Sequence, residues 1–195
     1  MTDTSEVPRR RKKLSAALGL AAATALIAIP STASAGDGSG GVGMGGDGTT
    51  PPTNGRTTAG PKAKLKHGYA IPPASAPNKV KRAIEAANEI VKGKPYCMGG
   101  GHGRRRDTCY DCSGSVSYAL TGAGLLDASM PSGSFMDWEK GGKGRWITTY
   151  ANSGHIYAVI AGLRLDTSMT TGDGPGWSKE MRSSSGYVAR HPARF

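Results

Sequence analysis

Residues 109–120, "CYDCSGSVSYAL", place Cys109 and Cys112 three positions apart and run directly into an apolar pattern of helical period. Val116, Ala119 and Leu120 would share the inward face of a helix that starts at Cys112 or Ser113 and ends near Gly122. Cysteines at this spacing serve one of three chemistries: half of a metal site, a dithiol redox couple, or a nucleophile with an unrelated neighbour.

The zinc reading takes Cys97, His102, Cys109 and Cys112 as four donors, the number that a tetrahedral site needs. Against it, those ligands reach across Arg104-Arg105-Arg106, three positive charges beside a dication. In a redox couple the first cysteine normally sits at the helix start, where the dipole favours its thiolate. Here the second one does, and no strand–helix–strand pattern surrounds the pair. The nucleophile reading uses that same placement. A cysteine in the first helical turn lies beside unpaired backbone N–H groups and the positive end of the dipole. Those N–H groups can later bond an oxyanion. Ser113, Gly114 and Ser115 are small and leave a substrate room to approach. Such a nucleophile needs a base, and the base needs a group to orient it.

The N-terminal segment bears on all three readings. A basic run, Arg9 to Lys13, precedes the apolar stretch Leu14 to Ile29 and then "PSTASA". This order predicts a signal peptide over residues 1–35, cleaved between Ala35 and Gly36. The apolar stretch has 16 residues, fewer than the ~20 that a membrane-crossing helix requires. The adjacent arginines also fit, loosely, a twin-arginine export signal. The full chain carries a formal charge of +11, and losing five basic and two acidic residues with this segment leaves +8. Outside a cell, a charge of that sign favours acidic wall polymers and anionic lipid over nucleic acid. Export also oxidises thiols, and three cysteines leave one without a partner, which marks a free, reactive thiol.

Residues 36–77 are dominated by Gly, Thr and Pro and read as a disordered linker, with Lys62, Lys64, Lys66 and His67 as a weak polyanion contact. Gly68 to Pro77 could lie against the domain as an extended arm. The folded unit is then 78–195. Asn78 caps a helix whose Val80, Ile84, Ala87 and Val91 share a face and which stops before Gly93 and Pro95. After a basic loop, the second helix and a loop from Leu125 to Gly144 come the strand signals "RWITTYA", "HIYAVIA" and "LRLDTS". One further strand is expected near "GYVARHPARF". Helices first and antiparallel strands after is an α+β order.

His155 puts a polar side chain at the head of the apolar strand "HIYAVIA". If that strand and the next turn on Ala161-Gly162, residue 168 lies opposite 155, and Asp166 sits diagonally on the face of His155. A loop with an odd residue count would put Asp166 on the other face. Pairing geometry therefore allows a Cys112, His155, Asp166 triad without forcing it. Rival bases are His67 in the linker, His191 in the tail, and His102 in a Gly-rich loop that would hold it loosely.

The stretch "PYCMGGGHG" followed by "YDCSGSVSYAL" resembles the signature of the NlpC-type cell-wall cysteine peptidases, papain-like enzymes that cut peptides of peptidoglycan. The likeness spans residues 78–195, and its most specific part is Tyr110 to Gly114. It implies helices packed on an antiparallel sheet of five or six strands. It also implies Cys112 as nucleophile, His155 as base and a polar residue on the next strand, near Asp166, to orient the ring. Tyr96, Asp111 and Ser113 match positions lining the family's substrate cleft, the last two suited to the free amino end of a stem peptide. Met98 stands where the family usually carries an aromatic residue, and aspartate is a less usual third member. Cys97 and Cys109 are then spare, and a disulfide between them would pin the basic loop beside Cys112.

The function these readings imply is a secreted or wall-associated, monomeric thiol peptidase. It would cut peptidoglycan stem peptides, at the amide between D-glutamate and the diamino acid, with no metal or organic cofactor. Arg104–Arg106 and the basic linker would hold it on anionic wall polymers, and nucleic acid is not an expected partner. The alternative is a wall- or polyanion-binding module that keeps the fold without the chemistry.

Overall fold

The computed structural model describes residues 55–103, 106–169 and 172–195. The expected signal peptide, residues 36–54 of the expected linker, and Arg104 and Arg105 lie outside the described residues. A short hairpin, β1 (Lys64–Lys66) and β2 (Tyr69–Ile71), leads into two helices, α1 (Asn78–Asn88) and α2 (Cys112–Gly122). A 3-10 helix over Ser132–Asp137 follows. Then come β3 (Lys140–Gly141), β4 (Ile147–Ala151), β5 (Ile156–Ile160), β6 (Leu163–Met169), β7 (Gly172–Ser178) and β8 (Val188–His191). The last six form one antiparallel sheet in the order β3-β8-β4-β5-β6-β7. The architecture is α+β, as the order of elements leads one to expect, and its six-stranded antiparallel sheet falls within the five or six strands that the resemblance implies.

The β5–β6 hairpin sets the register that matters most. Ala161 and Gly162 both take positive φ, 47° and 84°, the pattern of a two-residue turn whose twist matches that of paired strands. The pairs are Ile160 with Leu163, Val159 with Arg164, and Ala158 with Leu165. Alternation along the strands then separates the side chains. Ile156, Ala158, Ile160, Leu163 and Leu165 join the buried cluster of Val80, Ile84, Val116, Ala119 and Leu120 from the two helices. His155, Tyr157, Arg164 and Asp166 fall at the alternate positions.

Three features depart from the sequence reading. The first concerns the expected disordered linker to Pro77, with a domain starting at 78. Ala63 is instead buried, as are Tyr69, Ala70 and Ala76 within the arm, 68–77, that could lie against the domain. The Ala63 N–H donates to the Ala161 carbonyl at 2.8 Å, and the Thr58 N–H to the Pro72 carbonyl at 2.9 Å. Three of those four buried residues are alanines, whose small apolar area gives the segment little hydropathic signature. The second is β7, "GDGPGWS", which reads as a turn-rich tail yet pairs with β6 from Arg164–Ser178 to Met169–Gly172. It lies at the sheet edge, where proline's missing N–H costs no ladder bond. The third is the end of α1. The helix begins at Asn78 after Pro77, with no side-chain cap, and stops at Asn88 rather than near Gly93.

Asn88 stops the helix by turning into the interior. Its side-chain oxygen accepts from the Ala70 N–H at 3.0 Å and from Trp177 Nε1 at 2.9 Å, while its nitrogen donates to the Ala70 carbonyl at 2.8 Å. One amide thus ties β2, α1 and β7 together. Replacing it with alanine strands three buried partners, so Asn88→Ala should lower the unfolding free energy by about 2–4 kcal/mol. Equilibrium urea denaturation of the two proteins measures this.

Candidate active site

Cys112 is the first residue of α2, and its thiol is free and buried. The helix starts there because Asp111, extended at φ −86° and ψ −176°, accepts the Gly114 N–H on Oδ1 at 2.7 Å. Ser115 Oγ adds a bond to the Asp111 carbonyl at 2.7 Å. The positive end of the helix dipole, with first-turn N–H groups that lack intrahelical partners, therefore lies at Cys112. Gly114 has no side chain for a spatial reason. A Cβ there would overlap the Gly100 carbonyl, so the glycine admits the 97–109 loop against the helix start.

That loop is closed by a disulfide between Cys97 and Cys109, with Cα atoms 5.6 Å apart. The bond uses two of the three sulfurs that the zinc reading required and leaves Cys112 outside any Cys109 couple. Tyr118 Oη donates to Glu89 Oε2 at 2.6 Å, and Arg106 pairs with the same carboxylate at 3.3 Å, tying the end of the loop to both helices. Among the described residues no group of three His, Cys, Asp or Glu is placed to hold a metal.

His155 precedes β5 and is held by a tight turn. Asn152 Oδ1 accepts the N–H groups of Gly154 at 3.0 Å and of His155 at 2.8 Å. The ring's Nε2 lies 2.9 Å from Asp166 Oδ1, and the Cys112 side chain is near enough to the imidazole to help raise its pKa. With Nε2 taken by the carboxylate, Nδ1 is the nitrogen left for the sulfur. The bond to Asp166, then the nearness of Cys112, outweigh desolvation and push the His155 pKa up to about 9.

The Asp166 side chain is fully buried. Oδ1 also accepts the Ser168 N–H at 3.0 Å, and Oδ2 faces Arg182 Nη1 at 3.1 Å and Arg164 Nε at 3.4 Å. Burial alone would raise its pKa, but the His155 and Ser168 bonds, the imidazolium charge and Arg182 together hold it below the ordinary value. Arg182 rests over the rings of Tyr157 and Tyr187, 5.4 Å from each, and Tyr187 meets His155 edge-on at 6.4 Å. Sequence reasoning passed over both arginines. Arg164 shares the face of Asp166 two residues away and was open to the alternation argument. Arg182, in a loop after β7, left no pattern to find.

The expected substrate contacts divide. Tyr96 is 40% exposed. Burial raises its phenol pKa, and nearby Cys112 and Asp111 add to the rise. Ser113 is buried, and Asp111 is not an open receptor. Asp111 Oδ1 receives Gly114 N–H, Ser113 Oγ at 3.0 Å and His102 Nε2 at 3.1 Å, while Oδ2 receives the Gly99 N–H at 3.0 Å. Its pKa is lowered, since these bonds and the His102 charge outweigh burial. His102, expected to be loosely held, is fixed at three points, because its Nε2 also meets Ser113 Oγ at 3.0 Å and its Nδ1 meets Ser129 Oγ at 3.0 Å. Met98 is 85% exposed. His67 and His191, the other rival bases, sit at the β1–β2 turn and in β8, apart from these bonds.

No family description matches the chain, and no curated protein matches it in sequence. Two solved structures are similar to part of it. The P60 domain of an antigen from M. avium subspecies paratuberculosis is 20% identical, with 57% of this chain and 93% of that one covered at a TM-score of 0.43. A hypothetical invasion protein of Mycobacterium tuberculosis is 19% identical, with 69% and 71% covered at a TM-score of 0.44.

The raised His155 pKa carries a sign. A group whose folded pKa lies above its unfolded value of about 6.5 stabilises the fold most below that pH, and the contribution disappears as pH rises through about 9. NMR titration of the His155 ring should therefore give a midpoint near 9 in the wild type. Asp166→Asn should bring it down by a unit or more. A wild-type midpoint at 6.5 would contradict the geometry.

Proposed function

We propose that the chain is an exported cysteine peptidase that cuts amide bonds in peptidoglycan stem peptides, at the link between D-glutamate and the diamino acid. The observation that carries this reading is one arrangement: Cys112 at the α2 N-terminus, near His155, whose Nε2 lies 2.9 Å from buried Asp166.

The chemistry follows from those placements. The thiolate is the nucleophilic form of a cysteine, and the His155 imidazolium and the helix N-terminus set positive charge beside it. Cys112 Sγ attacks the amide carbon, and first-turn N–H groups of α2 can bond the oxyanion that develops. His155 then hands its proton to the leaving amine, which departs as the thioester forms. Water, deprotonated by the now neutral ring, attacks the thioester and frees the carboxylate product and the thiol. Asp166 keeps Nδ1 aimed at the sulfur throughout. Because Arg164 and Arg182 also hold its carboxylate, Asp166 stays ionised while the ring exchanges its proton.

The surface supports a wall location. Lys62, Lys64, Lys66 and Arg106 are all exposed, and the charge of the exported chain favours the polyanions found there. Replacing Cys112 with alanine or serine should abolish hydrolysis of purified sacculi, by about 10³-fold or more, while the thermal unfolding profile persists. Turnover at the wild-type rate in Cys112→Ala would overturn the proposal.

A further inference from the structure

Asp111 and Ser113 flank the nucleophile in sequence, and both side chains converge on one internal donor, His102 Nε2, at 3.1 and 3.0 Å. A carboxylate and a hydroxyl side by side next to a reactive sulfur form a natural seat for a substrate ammonium group. In this chain the seat is occupied by the protein itself. The Asp111 side chain is 8% exposed, and both its oxygens already accept from Gly99, Gly114, Ser113 and His102. An incoming ammonium would have to displace His102 and give up its water beside a carboxylate whose Oδ1 already accepts three bonds and whose Oδ2 holds the Gly99 N–H. His102 does not swing away easily, because Ser129 Oγ holds its other nitrogen at 3.0 Å.

We propose that His102 is a specificity-determining residue that plugs the polar seat beside Cys112, so that the site takes stem peptides whose amino end is acylated in preference to those whose amino end is free. The inference rests on the peptidase reading above. An acylated amino end is what a stem peptide has while still joined to its glycan strand, whereas a free one marks a fragment already released. The plug therefore points the enzyme at intact wall and away from turnover debris. Behind His102 lies a pocket of about 230 Å³ bordered by Ser117, Thr121, Asp127 and Ser129. Removing the imidazole would enlarge this space on the side where Nε2 meets Asp111 and Ser113 and free the carboxylate of one donor.

The test uses the full exported chain and two probes, a stem peptide with a free α-amino group and the same peptide N-acetylated. The wild type should cut the acetylated peptide at least as efficiently, by kcat/KM, as the free one. His102→Ala should move that ratio toward the free amine on the order of tenfold, the size of one charge-assisted hydrogen bond. His102→Gln, whose amide can still donate to Asp111, should keep the wild-type ratio. A wild type that prefers the free amine tenfold, or an alanine variant that cuts both peptides with an unmoved ratio, overturns the plug and leaves the peptidase reading standing. A wild type that cuts neither peptide overturns both. If His102→Ala fails to fold, His102→Ser and the wild-type ratio decide.

Discussion

The Asp111 carboxylate is the constraint on which the other parts of the site depend. It bonds the Gly114 N–H and so defines where α2 begins, which places Cys112 in the first turn. Its second oxygen holds the Gly99 N–H, and the Asp111 N–H in turn donates to the Gly100 carbonyl at 3.1 Å. The disulfide-closed loop is thereby stitched to the helix start from both directions. Ordinary capping satisfies one or two orphan donors. Here the same residue also anchors a loop and a histidine, so losing it would loosen Cys112, the 97–109 loop and His102 together. A buried carboxylate with four donors is costly to leave half-satisfied.

The second half of the site is built on sheet geometry. A two-residue turn fixes the β5–β6 register, and the period of two along each strand brings His155 and Asp166 onto one face. A shift between Asp166 and Ser168 in the β6–β7 pairing lets the Ser168 N–H fold back onto the carboxylate. The arginines complete the balance. A buried aspartate facing one imidazole would be uncompensated whenever the ring lost its proton, and Arg164 and Arg182 remove that difficulty by remaining charged. The charge of the buried Asp166 carboxylate is thus balanced by its surroundings.

Much of this was legible beforehand. The small-residue run after Cys112, the apolar period of α2, and the strand headed by a histidine follow from local rules that a sequence expresses directly. So did the diagonal from 155 to 166, once Ala161-Gly162 was taken as the turn. The hairpin at 64–71, "KLKHGYAI", carries its own signal in a two-residue His67-Gly68 turn that the Gly-, Thr- and Pro-rich stretch around it obscures, whereas β7 was not legible, because glycine and proline carry almost no periodic signal. His102 was misjudged for the same reason. Glycines on both sides suggested looseness, and the three atoms that fix it belong to Asp111, Ser113 and Ser129.

By itself, then, the sequence determined what is local in its physics: which residues enter helices and strands, which face each side chain takes, and which thiol stands at a helix start. Tertiary structure alone decided the partners. It set two arginines against Asp166 and held His102 among Asp111, Ser113 and Ser129, whereas the Cys97–Cys109 disulfide is the pairing the sequence reading expects. Hydrogen bonds and ion pairs between residues far apart in the chain depend on distances of a few tenths of an ångström. No repeat or spacing in the chain encodes these, whereas backbone sterics and hydrophobic periodicity act within a few residues and leave their mark on the sequence.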